Sequence, residues 1–366
     1  MKRYAACEPQ VARIRLRNDR IDSSSLISRR PFAAPTGVLT MATMQIGIMH
    51  SGKKGRHDNH INAIADGIKS LGLSDTGSNP DFKVPPPKYA DDQSLDPIAK
   101  SLDSDATIDL IVAAGGTASA LAAKSATSGS GKRVVFTSVA AWPTAVANMT
   151  GIIARTTELD RDRLERLAKL LPKNATVGVL LKANRPDYVS QKAMLTTTAG
   201  NLTLTPDFQD IDPTAATAVE KQISNVFTNW KGNVAGVLVA ADPLFNNHRP
   251  GATGIISDAA ANNLPTIYQW SEFVDDGGLI SYGTNLSVAY FLAGIYVGKI
   301  VKGATPAGLT PLPLTNMEMV INLKTAGSLK NFGGIPPELL ASADRIITGS
   351  GGHIPLVRHK PLVRHK

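Results

Sequence analysis

Residues 128–132 read Ser-Gly-Ser-Gly-Lys, the ending of a phosphate-cradling loop, in which backbone N–H groups hold the phosphates and the lysine reaches them. The pattern breaks at both ends. Its first glycine falls on Ala126, and Arg133 stands where a Ser or Thr hydroxyl must meet the metal. His57 and His60 have a spacing that suits zinc, but Asp58 alone lies near as a further ligand, so they read as a solvated helix start. Asp275 and Asp276 are adjacent, would face opposite sides of a strand, and read as turn residues rather than an acid/base pair. No G-x-G-x-x-G follows a strand, and there is no G-x-S-x-G elbow. Nothing gathers a nucleophile, a base and an orienting group, so the expectation is a protein that is not an enzyme, with no catalytic residues, no metal and no cofactor.

The chain offers aromatic surface instead. Residues 264–285 read LPTIYQWSEFVDDGGLISYGTN. A short apolar strand, 264–268, delivers Tyr268, Trp270 and Phe273 into a loop, and the glycines Gly277 and Gly278 turn the chain into a second strand, 279–282. Aromatics at the carboxyl end of a strand in an α/β sheet sit where such sheets bind ligands. Phe273 reads as core. Trp270, flanked by Gln269, Ser271 and Glu272, is open to either role, core or ligand wall.

These side chains need a scaffold, and the hydrophobic pattern supplies one. MQIGIM (44–49), IDLIVAA (108–114), RVVFTS (133–138), TVGVLLK (176–182), LTLTP (202–206) and VAGVLVA (234–240) are short apolar runs of the buried-strand type. Between them lie helical spacings at 59–71, 118–125, 158–171, 187–199 and 214–229, followed by 254–262 and 287–301. The proline-rich stretch ending at Pro87 reads as a connection, and GIIA (151–154) as the strand that opens a second series. Strands alternating with helices imply parallel sheets covered on both faces, and two series imply two α/β lobes with a ligand crevice between them.

The formal net charge of +9 is carried by the ends. Residues 1–40 hold eight basic and three acidic side chains, and residues 351–366 add Arg358, Lys360, Arg364 and Lys366. The body between is neutral and gives no argument for nucleic acid. Cys7 is the single cysteine, so the body can hold neither disulfide nor thiolate metal site. Residues 28–32, Ser-Arg-Arg-Pro-Phe, resemble a twin-arginine export signal, but the apolar stretch after them is short and broken by Pro35 and Gly37. A translation start at Met41 or Met44, opening directly onto the first strand, is the competing reading. The tail repeats PLVRHK at 355–360 and 361–366 and reads as low-complexity.

The order and spacing of VAAGGTASALAAKSAT (112–127), ADPLF (241–245), the 264–285 stretch, YVGKIVKGATPAGL (296–309), VINLKTA (320–326) and IPPELLASADRII (335–347) resemble the substrate-binding proteins of ABC importers, in the group that includes tryptophan and aromatic amino-acid binders. The resemblance covers about 44–347. It implies an α/β, type I periplasmic-binding fold: two Rossmann-like lobes with parallel sheets joined by crossing hinge segments. The first lobe would be 41–152 plus 284–306, the second 153–283 plus 312–347, with a basic leader at 1–40 and a basic tail at 348–366.

By the same resemblance the chain would be a periplasmic, monomeric solute-binding component. It would capture a small organic ligand, aromatic or amino-acid-like, and deliver it to an ABC permease without touching nucleic acid. An intracellular ligand sensor on the same fold is the alternative, favoured by the weak export signal, and an α/β enzyme is a more remote one.

Ligand contacts are expected from Ser51, Thr117, Ser138, Trp142, Asn184, Asp242 and Trp270. Thr117 matches the threonine of the family's G-T-P-A turn, and Asn184 matches the asparagine of an N-P-x-N-P-like loop. Asp242 takes the position of a carboxylate that pairs with a ligand ammonium. Their local alternatives are a helix cap for Thr117 and turns for Asn184 and Asp242. The chain departs from the family at Ala118, in place of a proline, and at Ala140-Ala141-Trp142-Pro143, where relatives carry G-D-P. That exchange removes a carboxylate and adds an indole, which points away from an ordinary α-amino acid and toward an aromatic or apolar organic ligand.

Overall fold

The computed structural model describes residues 42–90, 94–142, 146–185, 187–248, 254–349 and 353–355. The basic leader and nearly all of the PLVRHK repeat lie outside the described residues. The chain opens with β1 (Met44–His50), whose run of apolar residues is buried on both faces of a sheet. There follow α1 (Asp58–Lys69), the two-residue strands β2 (Phe82–Lys83) and β3 (Lys88–Tyr89), α2 (Asp96–Ser104), β4 (Leu110–Ala114), α3 (Thr117–Ala126), β5 (Arg133–Val139) and β6 (Met149–Ile153). The second part runs α4 (Leu159–Ala168), β7 (Thr176–Lys182), α5 (Tyr188–Asn201), β8 (Thr205–Ile211), α6 (Val219–Trp230), β9 (Gly236–Val239), α7 (Pro243–Asn247), α8 (Ile255–Ala261), β10 (Thr266–Tyr268), α9 (Ser271–Asp275) and β11 (Ile280–Thr284). It ends with α10 (Leu286–Val301), β12 (Leu312–Pro313), β13 (Met317–Asn322), α11 (Leu323–Ser328), α12 (Pro337–Ser342), β14 (Arg345–Ile347) and β15 (His353–Pro355).

These strands form two sheets. The first has the order β12-β6-β5-β4-β1-β2, with β3 also on β1; the second has the order β15-β14-β13-β11-β10-β9-β7-β8. Every pairing is parallel except β11 with β13 and β14 with β15. GIIA, read as the opening of the second series, lies in β6 and beside β5 in the first sheet. Leu312–Pro313, which the expected boundaries give to the second lobe, pairs in parallel with β6 as well. The proline-rich connection before Ala90 also carries two strand fragments on β1, too short for any periodicity to show.

Fold class therefore follows the pattern of the sequence: two α/β lobes of the type I periplasmic-binding fold. The chain crosses between the sheets three times, after β6, after β11 and after β12. The crossings touch one another. Thr284 Oγ1 donates to the Ala154 carbonyl at 2.8 Å, and the Leu314 N–H donates to the Ile153 carbonyl at 2.8 Å. Arg163, fully buried, pairs with Asp160 and donates to the carbonyls of Thr156 and Tyr282, tying two of the crossings to α4. After the second crossing, α10 packs on β5, β6 and α1, so a helix that follows a strand of the second sheet serves the first. Its contact with α1 is nearly backbone on backbone: a Cβ at Gly294 would lie 2.1 Å from the Ile64 carbonyl oxygen, and one at Gly67 would lie 2.1 Å from that of Phe291.

The 264–285 stretch departs from expectation in one respect. The loop that was to carry the aromatics is the helical turn α9, with Trp270 as its N-cap residue. Tyr268 and Phe273 are core, stacked at 4.8 Å between centroids.

Candidate functional site

Both sheets repeat one connectivity. In the first, the chain leaves β1 for β2 on one side and returns to β4 on the other; in the second, β7 is flanked by β8 and β9 in the same way. Where successive connections leave in opposite directions, a crevice opens at the carboxyl ends of the strands. The two crevices face one cavity of about 550 Å³, within the range of small-molecule sites. All seven residues expected from the sequence, Ser51, Thr117, Ser138, Trp142, Asn184, Asp242 and Trp270, line it.

The β1/β4 crevice supplies one half. Ser51 follows β1, and its hydroxyl donates to the Gly115 carbonyl at 2.6 Å. The approach requires glycine: Gly115 has φ 88°, and a Cβ there would stand 2.3 Å from Ser51 Oγ. Thr117 opens α3 without capping it. Its hydroxyl oxygen instead accepts from the Ala140 N–H at 3.0 Å, which leaves the hydroxyl proton available. Ser138, in β5, takes φ 63°, a left-handed conformation that costs a non-glycine residue energy, and its side chain faces the Tyr290 hydroxyl. Trp142 packs against Phe136 at 4.6 Å between centroids, with its buried Nε1–H unmet among the described residues. The three residues after Trp142 lie outside the described residues.

Beneath this half sits a histidine cluster. The Gly52 N–H donates to His50 Nδ1 at 2.8 Å, so that nitrogen carries no proton, and Nε2 donates to Tyr290 Oη at 2.8 Å. Burial holds the His50 imidazole well below its ordinary pKa, and the nearby His57 and His60 push in the same direction. His50 and His57 stack at 4.2 Å. His57 and His60 are only 3% and 6% exposed, which corrects the expectation of a solvated helix start. α1 turns that end inward, and His60 Nε2 lies 2.9 Å from Glu272 Oε1 on α9, across the two lobes. Among the described residues no group of histidines, cysteines and carboxylates has the geometry of a metal site.

The β7/β9 crevice supplies the other half. Asn184, exposed after β7, has φ 58°. Asp242 caps α7 by accepting from the Leu244 N–H at 2.9 Å, and its carboxylate also lies 3.7 Å from Lys182 Nζ and 3.8 Å from Arg185 Nη1. Arg185 donates in addition to Asp187 and to the Ala241 carbonyl. Burial works against the Arg185 charge, but Asp242 and Asp187 outweigh it and raise its pKa. Burial likewise favours a neutral Asp187, and the Arg185 charge with the Thr157 hydrogen bond overrides it and holds that carboxyl below the usual range. Trp270, 6% exposed, completes the wall with another buried Nε1–H that has no acceptor among the described residues.

Sequence reasoning missed Lys182, Arg185, His50 and Tyr290. Lys182 and Arg185 were visible as basic residues at the end of a predicted strand, the position where α/β sheets place ligand groups. Tyr290 had no local signal, because α10 brings it to the site from the far side of a crossing.

Residues 48–347 match the model of a family described as ABC transporter substrate binding protein. No curated protein matches the chain. Among solved structures it is similar to a Streptococcus pneumonia ABC domain in complex with L-Trp, at 21% identity and TM-score 0.69, covering 84% of this chain and 100% of that one. A conserved domain protein from Vibrio cholerae gives 19% and 0.69 over 84% of this chain and 99% of that one. The ligand-free, open substrate-binding protein CD0873 of Clostridium difficile gives 20% and 0.55 over 84% and 99%. At these identities the likeness speaks to the fold.

Proposed function

This chain belongs to the ABC transporter substrate-binding proteins, a binding rather than an enzyme class, and on that premise we propose that it captures a small organic ligand with an aromatic or otherwise apolar body and presents it to a membrane permease. Capture would proceed by closure of the lobes over the cavity, outside the cytoplasm, without chemistry on the ligand. The observation that carries the reading is the wall of the cavity. Trp142 and Trp270 line it together with Leu95, Leu121, Leu244 and Leu286, and Leu121 keeps 41% of its surface exposed there. An exposed leucine is costly to leave facing water, and with two largely buried indoles in the same wall it is well suited to a flat apolar ligand.

A thermal-shift panel of aromatic acids, amino acids, purines, sugars and short peptides tests this. A ligand at about a hundred times its Kd adds about 2.7 kcal/mol of stability. For any ligand found, Trp142→Ala and Trp270→Ala are each expected to weaken binding by about 1–2 kcal/mol, roughly five- to thirtyfold, by calorimetry. Unchanged affinity in both variants removes the aromatic wall from the site.

A further inference from the structure

We propose that the ligand is an organic monoanion, a carboxylate with an apolar body and no ammonium group; this rests on the binding reading above and narrows it. An α-amino acid needs an acceptor for its ammonium. The carboxylates that line the cavity are Asp187 and Asp242, and both are committed. Asp187 accepts from Arg185 Nε at 2.6 Å, from Arg185 Nη2 at 3.0 Å and from Thr157 Oγ1 at 2.7 Å. Asp242 accepts from Leu244 N–H and lies between Lys182 and Arg185. A ligand ammonium brought to Asp242 would therefore come up against two cations already there, and a like charge at such range in a desolvated site is repelled.

Donors, by contrast, are in excess. The three donors of Lys182 have the Asp242 carboxylate at 3.7 Å as their nearest charged partner, beyond hydrogen-bond length. The indole N–H groups of Trp142 and Trp270 are buried and unmet among the described residues. The Thr117 hydroxyl accepts from Ala140 N–H and keeps its proton for donation.

Lys182 and Thr117 share one corner of that cavity, and both indoles line it. Pro243, next to Asp242, would lie 3.6 Å from a Cβ built on Gly116, which joins the Lys182 side of the cavity to the first turn of α3 and Thr117. A buried donor without an acceptor is unfavourable, and a carboxylate satisfies several at once with charge-assisted bonds. The lining charges agree: Lys124, Lys182 and Arg185 stand against Asp187 and Asp242.

The test is a matched series on the full chain by calorimetry: 3-phenylpropionate and indole-3-propionate, the amino acids L-phenylalanine and L-tryptophan, the amines phenethylamine and tryptamine, and the neutral 3-phenylpropionamide. The des-amino acids are expected to bind at least tenfold tighter than the amino acids, and the amines not at all. Lys182→Gln is expected to weaken the carboxylates by about tenfold or more and to leave the amide within twofold. Amino acids binding as tightly as the des-amino acids would overturn the inference and leave the binding reading standing. So would a neutral nucleoside or sugar binding where every carboxylate fails. A protein that binds nothing in the series or in the wider panel loses both.

Discussion

At the scale of residues, the cavity is organised by committed charges. Arg185 holds two carboxylates and a carbonyl while lying largely out of solvent. Removing it leaves the buried Asp242 and the half-buried Asp187 with less compensation than they require, so Arg185→Ala is expected to cost about 2–3 kcal/mol of stability, read as a lowered urea midpoint at unchanged slope. An Arg185→Ala midpoint equal to that of the wild type would mean that the carboxylates are solvated after all. His50 carries the opposite logic. Its folded pKa lies well below the unfolded value near 6.5, because burial and then His57 and His60 disfavour the imidazolium. In the window below pH 6.5 the unfolded chain therefore binds the proton that the folded chain refuses. The contribution is fully present above that window and is lost as pH falls through it, by at most about 1.4 kcal/mol per pH unit for one group. Melting temperature should fall between pH 7 and pH 5, and His50→Gln should flatten that fall; an equal fall in the variant would show that His50 does not carry the effect.

The elements explain why these residues meet. β1, β4, β7 and β9 are apolar and buried through their middles, and β1 and β7 end on His50 and Lys182, where the chain turns into ligand-facing loops. The crossing helix α10 is as important as the strands, since it brings Tyr290 under the cavity while packing on α1 through Gly67 and Gly294. Gly294→Ala forces a methyl into the backbone of the neighbouring helix. A loss of about 1–3 kcal/mol is expected, despite the better helix propensity of alanine. Because the strain falls on the α1/α10 pair, the variant should also weaken ligand binding; full affinity at lowered stability would show that α10 and the site are uncoupled.

For the molecule as a whole, two contacts run from one lobe to the other. His60 on α1 meets Glu272 on α9, and the Lys53 N–H donates to Asn247 Oδ1 at 3.2 Å. If those contacts favour the closed arrangement, Glu272→Gln raises the open population, and apparent affinity falls in proportion to the closed fraction, about two- to fivefold. The radius of gyration without ligand should rise in scattering measurements, while the ligand-saturated value stays that of the wild type. No change in either quantity would remove the His60–Glu272 pair from the closing motion.

The apolar runs and their spacing, by themselves, determined the two α/β lobes, because strands buried on both faces must be apolar throughout and helices that cover them must be amphipathic. The resemblance pointed to Ser51, Thr117, Ser138, Asn184 and Asp242, a departure from it to Trp142, and the aromatics at a strand end to Trp270; all seven are among the residues that line the cavity. The two-residue strands β2, β3 and β12 were illegible, since two residues have no period and only a neighbouring strand makes them strands. The inward turn of His57 and His60 was equally hidden: their spacing fits a solvated helix end, but His57 stacks on His50 at the end of β1, and His60 meets Tyr290 and Glu272, more than two hundred residues away. The state of Asp242 also belongs to the tertiary structure. A carboxylate before a proline reads the same in sequence whether it is free or paired, and only the convergence of β7 on β9 brings Lys182 and Arg185 to it. Charge is assigned by residue type, but its availability to a ligand is fixed by what the fold has already placed beside it.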